Sequence, residues 1–117
     1  MDWQMKRGEI YYANLSPVLG SEVDKRRPVL IVSNDINNRN ATVVTIAPLT
    51  SNVSRIYPFE VLVAPEDSGL AKPSKVQAQQ IRTISKQRIE SQAVRQLSNE
   101  LMQQVEAAIK LHLGLED

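Results

Sequence analysis

DKRRPVLIVSND, residues 24–35, places three cations directly before a proline and a run of apolar residues. The segment PVLIVS at 28–33 is typical of a strand that is buried on both faces, or nearly so, because a strand with one solvent face would alternate apolar and polar residues. Lys25, Arg26 and Arg27 therefore lie at the entrance of a buried element. Three positive charges at one point predict a local site for an anion, and guanidinium groups suit phosphate in particular.

Short strands separated by turn residues are predicted on both sides of this segment. The predicted strands are residues 9–15, 28–33, 41–47, 59–63 and 74–84. The turn-rich residues 34–40 predict a hairpin between the second and third strands. Pro48 is expected to end the third strand or to mark it as an edge strand, because proline lacks a ladder donor.

A helical period replaces the strand pattern after Ser98, which is a good N-cap, and Gly114 marks the expected end. The apolar positions that recur at helical spacing are Leu101, Met102, Val105, Ala108, Ile109 and Leu113. We therefore expect one mainly β domain over residues 1–117, a barrel or strongly curved sheet with a C-terminal helix packed on it.

The charge balance excludes a globally basic nucleic-acid binder, because 14 Lys and Arg against 13 Asp and Glu give a net charge of +1. An anion site must then be local. Besides residues 25–27, the stretch 68–89 has five cations and no acid, and it is interpreted either as a second binding surface or as a solvated strand face. Its cations are Lys72, Lys75, Arg82, Lys86 and Arg88.

The chain has no cysteine, and no segment approaches the ~18 to 20 apolar residues of a membrane span. A soluble cytoplasmic protein is therefore expected. The only histidine, His112, falls in the predicted helix, where packing or capping is the favoured role. No residue cluster has the spacing of a metal site, and no glycine-rich phosphate loop is present, so no cofactor is expected and side chains would have to bind phosphate.

Five ordered blocks of sequence resemble the MazF/PemK family of toxin endoribonucleases. These blocks are RGEIYYANLSPVLGSE at 7–22, RRPVLIVSND at 26–35, IAPLTS at 46–51, YPFEV at 57–61 and QQIRTI at 79–84. The resemblance implies a homodimeric SH3-like barrel of the PemK type. It also implies cleavage of single-stranded RNA without a metal, and a cognate antitoxin that restrains this activity.

The same resemblance implies roles for particular residues. Arg27 and Thr50 match the catalytic arginine and threonine of the family. RNA contacts are implied for Ser21, Glu22 and Asn34, and expected for Lys25, Arg26, Gln79, Gln80 and Arg82 from their charge or amide groups. The polar residues of the strand at 74–84 have an alternative explanation, the protection of an edge strand.

Without a metal or a placed histidine, the simplest cleavage uses the 2′-hydroxyl of the RNA as the nucleophile. Arg27 would then stabilise charge on the phosphate and Thr50 would donate a second hydrogen bond, with Arg27 or Glu22 as the base. Two other functions remain open. A toxin of the same barrel shape could bind a protein target such as a topoisomerase, or the barrel could bind RNA without cutting it.

Overall fold

A curled antiparallel sheet dominates the computed structural model, which describes residues 4–17, 19–20 and 25–115. Within these residues the strands are β1 (Glu9–Asn14), β2 (Arg26–Ile31), β3 (Val43–Thr50), β4 (Glu60–Val63), β5 (Ser74–Gln77), β6 (Arg82–Ser85) and β7 (Arg95–Gln96). The helices are α1 (Asp35–Asn40), α2 (Pro65–Ser68) and α3 (Asn99–Leu113). The strand order is β4-β5-β3-β2-β1-β7, with β6 also paired to β3. The predicted mainly β barrel with a C-terminal helix is confirmed.

Both faces of the central strand β2 are buried, which explains its continuous apolar run. Leu30 belongs to a cluster that includes Met102, Val105 and other residues of α3, here called the helix-side core. Val29 and Ile31 point the other way into a second cluster, here called the opposite core. Fully burying an aliphatic side chain stabilises the fold by about 1.5–3 kcal/mol, so alternate residues of β2 stabilise two separate clusters.

Strands β2 and β3 pair in antiparallel register, as the predicted hairpin requires, but β3 extends beyond its expected end. It continues through Pro48, which lies opposite Val29, to Thr50. On the second edge of β3, the ladder with β6 ends at Ile46 and the ladder with β5 begins at Leu49. Pro48 therefore coincides with a gap between two partner strands, where a missing N–H donor is tolerated.

The predicted turn at 34–40 is wrong in detail, because most of it forms α1. The side-chain oxygen of Asn34 accepts a hydrogen bond of 2.8 Å from the backbone N–H of Asn37. Asp35 adds a negative charge in the first turn. N-capping and a favourable helix dipole thus outweigh the low helix propensity of the asparagines.

The predicted single strand at 74–84 is also wrong, because it is divided into β5 and β6 by a 3₁₀ turn at Ala78–Gln80. The two strands lie end to end along the same edge of β3. The sequence pattern does not reveal this break, because side chains alternate between the two faces in β5 and again in β6.

Helix α3 agrees with the prediction at both ends. The hydroxyl of Ser98 accepts from the N–H of Leu101 at 3.2 Å, and Gly114 takes a left-handed conformation at the C-cap. The ring of His112 contacts Phe59 at 6.0 Å between centroids, in line with the expected packing role. Across the described part of the chain, every helix is too short or too polar to cross a bilayer.

Candidate active site

Arg27 and Thr50 lie at the same end of adjacent strands. The β2–β3 ladder ends with Val29 opposite Pro48, so Arg27 and Thr50 each lie two residues beyond its last pair. Strand alternation places both side chains on the face of the opposite core, because Val29 and Ile46 belong to that cluster. Both residues are half-buried. The structure therefore places the two predicted catalytic residues on one face of the sheet and at the same end of the β2–β3 pair.

The hydroxyl of Thr50 is fixed by the turn that follows β3. Its oxygen accepts a hydrogen bond of 3.2 Å from the backbone N–H of Asn52. The side chain of Asn52 in turn accepts from the backbone N–H and the hydroxyl of Ser54. Because the Thr50 oxygen acts as an acceptor in this contact, its own O–H remains a donor for a substrate oxygen.

The two ends of the connection between β1 and β2 are hydrogen-bonded to each other. These ends, residues 14–16 and Lys25, are here called the neck. The backbone N–H of Lys25 donates to the hydroxyl of Ser16 at 3.0 Å, and its carbonyl accepts from the N–H of Leu15 at 2.9 Å. Lys25 has a φ of 64°, an uncommon value for a residue with a side chain, so the neck bends sharply here. The predicted RNA contacts Ser21 and Glu22 lie outside the described residues.

Two arginines from the far end of the chain bind the same neck. Arg82 donates to the carbonyl of Leu15 at 3.3 Å. Arg88 donates to the carbonyls of Asn14 at 3.1 Å and Ser16 at 2.5 Å. The RNA contact predicted for Arg82 stays a prediction, and in the structure its guanidinium binds the backbone at Leu15. The role of Arg88 had no sequence signal, since its acceptors are backbone carbonyls more than 70 residues away.

Arg26 lies on the other face of β2, as expected for a neighbour of Arg27 in a strand. Its guanidinium is 4.3 Å from the centre of the Tyr12 ring, a cation–π contact, and 3.4 Å from a carboxylate oxygen of Glu90. An open pocket of about 220 Å³ beside it is lined by Arg26, Arg27, Lys72 and the apolar residues Leu49 and Leu70, among others. No acidic side chain is among the lining residues from the described part of the chain.

The other predicted contact residues are dispersed. Asn34 lies at the end of β2 remote from Arg27, where its side-chain oxygen caps α1. Gln80 is half-buried in the 3₁₀ turn. Gln79, in the same turn, donates from its amide nitrogen to Glu60 at 2.7 Å, and its buried amide oxygen has no hydrogen-bond partner among the described residues.

Glu60 and Lys75 form a buried ion pair that sequence reasoning missed. The lysine nitrogen is 3.0 Å from a carboxylate oxygen of Glu60, and the two side chains are 10% and 1% exposed, respectively. The two residues lie on the paired strands β4 and β5, where Lys75 is opposite Leu62 and diagonal to Glu60. Only this register connects the two charges, so neither strand alone indicates the pair.

Burial by itself would raise the pKa of Glu60, but hydrogen bonds outweigh this effect. The backbone N–H of Tyr57, the amide of Gln79 and the ammonium of Lys75 all favour the ionised carboxylate and hold its pKa below the ordinary value of 4.5. A lowered pKa in the folded state stabilises the fold above pH 4.5, and this contribution is lost as the pH falls through the lower folded value.

We therefore expect the melting temperature to fall more steeply below pH 4.5 in the native sequence than in a Glu60→Gln variant, which has no carboxylate to protonate. Thermal unfolding between pH 7 and pH 3 measures both slopes. Glu106→Gln is the control, because Glu106 pairs with Arg7 at the surface and should retain the native slope. Parallel profiles for the native chain and Glu60→Gln would contradict the assignment.

The predicted cationic stretch 68–89 does not form one surface. Lys75 is buried in the ion pair, and Lys86 donates to the carbonyl of Asn38 at 2.6 Å. Arg82 and Arg88 hold the neck, so Lys72 alone among the five cations of this stretch lines the pocket beside Arg26. Within the described residues, no group of three or more His, Asp or Glu side chains is arranged to hold a metal ion.

Comparison with known proteins gives one consistent family. The model of the PemK-like, MazF-like toxins of type II toxin–antitoxin systems matches residues 6–113. Endoribonuclease MazF9 of Mycobacterium tuberculosis is 41% identical, and the match covers 95% of this chain and 98% of that protein. Endoribonuclease EndoA of Bacillus subtilis is 38% identical, and the match covers 97% of both proteins. A solved structure of a mycobacterial endoribonuclease in complex with its cognate antitoxin is 27% identical, covers 97% of this chain and 98% of that chain, and has a TM-score of 0.79.

Proposed function

The chain belongs to the PemK-like, MazF-like toxin family of type II toxin–antitoxin systems, and from this premise we propose that it cleaves single-stranded RNA without a metal ion. Its relatives at 38–41% identity are endoribonucleases, and this chain is one as well. In the proposed reaction the 2′-hydroxyl attacks the adjacent phosphorus. The products are a 2′,3′-cyclic phosphate and a 5′-hydroxyl.

One observation carries the assignment of the chemistry to Arg27 and Thr50. Their side chains share one face and one end of the β2–β3 pair, although they come from separate strands. A guanidinium and a hydroxyl on the same face of adjacent strands can donate to two oxygens of one phosphate that lies between them. Their common position also adjoins the neck at Lys25, from which the predicted contacts Ser21 and Glu22 are only a few residues away.

The reaction places defined demands on these groups. The 2′-oxygen forms a bond to phosphorus while the bond to the 5′-oxygen breaks, so negative charge grows on the phosphoryl oxygens. Arg27 and the O–H of Thr50 stabilise that charge, and each well-placed donor contributes about 3–4 kcal/mol to the transition state. A base must take the proton of the 2′-hydroxyl and an acid must protonate the 5′-oxygen. Glu22 and Arg27 are the two candidates for the base, and the carboxylate suits this role better because a guanidinium stays protonated at neutral pH.

The decisive experiment is incubation of a long single-stranded RNA with the purified protein in EDTA. Discrete cuts with 5′-hydroxyl and 2′,3′-cyclic phosphate ends are expected, and a fully paired duplex of the same sequence should stay intact. Intact single strands would instead favour an RNA-binding barrel or a toxin that acts on a protein such as a topoisomerase. Sequencing of the new 5′ ends would also identify the preferred cut site.

We expect Lys25 and Arg26 to bind phosphates that flank the cut. Lys25→Ala or Arg26→Ala should weaken binding of all single-stranded sequences and lower the log–log salt slope by about 0.7 for each phosphate that is no longer bound. The pocket beside Arg26 and Lys72 offers apolar surface and positive charge for such a flanking nucleotide. Binding is measured between low and moderate salt with a non-cleavable RNA analogue.

Lys6→Ala is the matched control for these variants, because Lys6 is an exposed lysine that does not line this pocket. It should leave the salt slope at the native value. An unchanged slope for Lys25→Ala and Arg26→Ala would make both residues solvated surface charges.

We further propose that the chain forms a homodimer and binds a cognate antitoxin whose acidic, disordered tail occupies the same cationic surface as RNA. Among the five cations at 68–89, Lys72 alone lines the pocket beside Arg26 and Arg27. The proposed surface for this tail is therefore formed by these three residues and the adjacent Lys25. Carboxylates of the tail would then take the places of RNA phosphates.

Competition tests this partner. A non-cleavable RNA analogue should displace a labelled antitoxin peptide in proportion to its concentration, and Arg27→Ala should weaken both ligands. Simultaneous binding of peptide and RNA at undiminished affinity would exclude a shared surface. Sedimentation of the free protein tests the homodimer independently.

A further inference from the structure

We propose that the buried Lys75–Glu60 ion pair is a positioning element of the RNA-cleaving site, which holds the loop after Thr50 and the amide of Gln79 in their working geometry. The inference rests on the proposed function. It adds two residues that would not touch the substrate but would act through residues that do.

The ion pair contacts the second half of the loop between β3 and β4, which begins after Thr50. Lys75 donates from its ammonium to the carbonyl of Arg55 at 2.7 Å, besides its contact with Glu60. Glu60 accepts from the backbone N–H of Tyr57 at 2.9 Å through the same carboxylate oxygen that contacts Lys75. The residues between β3 and β4 are therefore held at Arg55 and Tyr57 by one buried cluster.

The same cluster is joined to Thr50 and Gln79 directly. Thr50 and Lys75 are ladder partners of β3 and β5. The loop begins with the hydrogen bond from Asn52 to the Thr50 hydroxyl, so its first and last turns are both fixed. The second carboxylate oxygen of Glu60 accepts from the amide nitrogen of Gln79 and sets the orientation of that amide.

Stability alone is a weak explanation for such a pair. Removing two charges from water costs free energy, and replacement of a buried ion pair by apolar residues of similar volume is often neutral or stabilising. What apolar residues lack is direction, since only hydrogen bonds fix the Arg55 carbonyl, the Tyr57 amide and the Gln79 side chain at set angles. The geometry thus points to positioning, where misplacement of a reacting group by about 1 Å can cost 10²-fold in rate.

The test separates stability from positioning by comparing single variants with an apolar double variant. Lys75→Met leaves the buried carboxylate without its cation, and Glu60→Gln leaves the buried ammonium without its anion, so both should lower the melting temperature. The double variant Lys75→Met/Glu60→Leu should regain most of that loss. Its kcat for a short RNA should nevertheless stay about 10- to 100-fold below the native value, with a much smaller change in KM.

Glu106→Gln is the matched control, because it removes the carboxylate of the surface pair with Arg7 and should leave kcat unchanged. A double variant with both native stability and native kcat would overturn the proposal. If the double variant does not fold, Glu60→Gln decides the question at a temperature where circular dichroism shows it folded. There a reduced kcat supports the proposal, and a native kcat overturns it.

A double-mutant cycle with Thr50→Val identifies the route of the effect. If the pair acts through Thr50, the loss in kcat on adding Glu60→Gln to Thr50→Val should be smaller than in the native background. Full additivity would exclude that route. An inactive native protein would refute the proposed cleavage itself, whereas an active native protein with an equally active double variant would refute only the positioning role.

Discussion

Arg27→Ala is expected to lower kcat/KM for RNA cleavage by at least ~100-fold, the scale for losing one donor that stabilises transition-state charge. Arg27 is half-buried near the start of β2, at the end of the β2–β3 pair where Thr50 also lies. The substitution removes the guanidinium group, which would donate two hydrogen bonds to the phosphate. The melting temperature should change little by comparison, because the apolar residues of β2 that form the core begin at Val29.

Arg27→Lys should restore little of this activity, because an ammonium is a point charge and cannot donate two parallel hydrogen bonds to a phosphate. Arg39→Ala serves as the matched control, since Arg39 is an exposed arginine in the last turn of α1. It should cleave at the native rate. Near-native cleavage by Arg27→Ala would refute the catalytic assignment, and single-turnover kinetics at saturating protein would measure the effect on the chemical step.

Thr50→Val is expected to lower kcat by about 10²-fold, because it replaces the donor hydroxyl with a methyl group of similar size. The substitution also removes the acceptor for the N–H of Asn52. Thr50→Ser keeps the hydroxyl and the turn, so it should retain most of the activity. Single-turnover cleavage of a short RNA compares the three proteins without interference from product release.

Thr45→Val is the control for this substitution. It lies on the same strand and removes a hydroxyl that contacts Thr83 at 2.8 Å, remote from the strand end where Thr50 lies. Its kcat should be native. Equal losses in Thr45→Val and Thr50→Val would show that the substitution acts through strand stability and not through a contact with phosphate.

The sequence by itself predicted the elements whose signals are local. The apolar run at 28–33 indicated the doubly buried strand, and Ser98 and Gly114 marked the ends of α3. The blocks around Arg27 and Thr50 identified the family, because each block is continuous in the chain. Period, capping residues and short motifs depend on neighbours within a few positions, so they can be read without a fold.

Tertiary structure decided what depends on register between strands. It joined Lys75 to Glu60, divided residues 74–84 around a 3₁₀ turn and let β3 pass through Pro48 at a gap between partner strands. It also attached Arg88 to carbonyls at the other end of the chain. A buried charge is costly unless a partner is supplied, and for Lys75 the charged partner comes from another strand. The register that brings the partner there is set by the packing of the whole sheet, because a shift of one residue would turn each side chain to the other face.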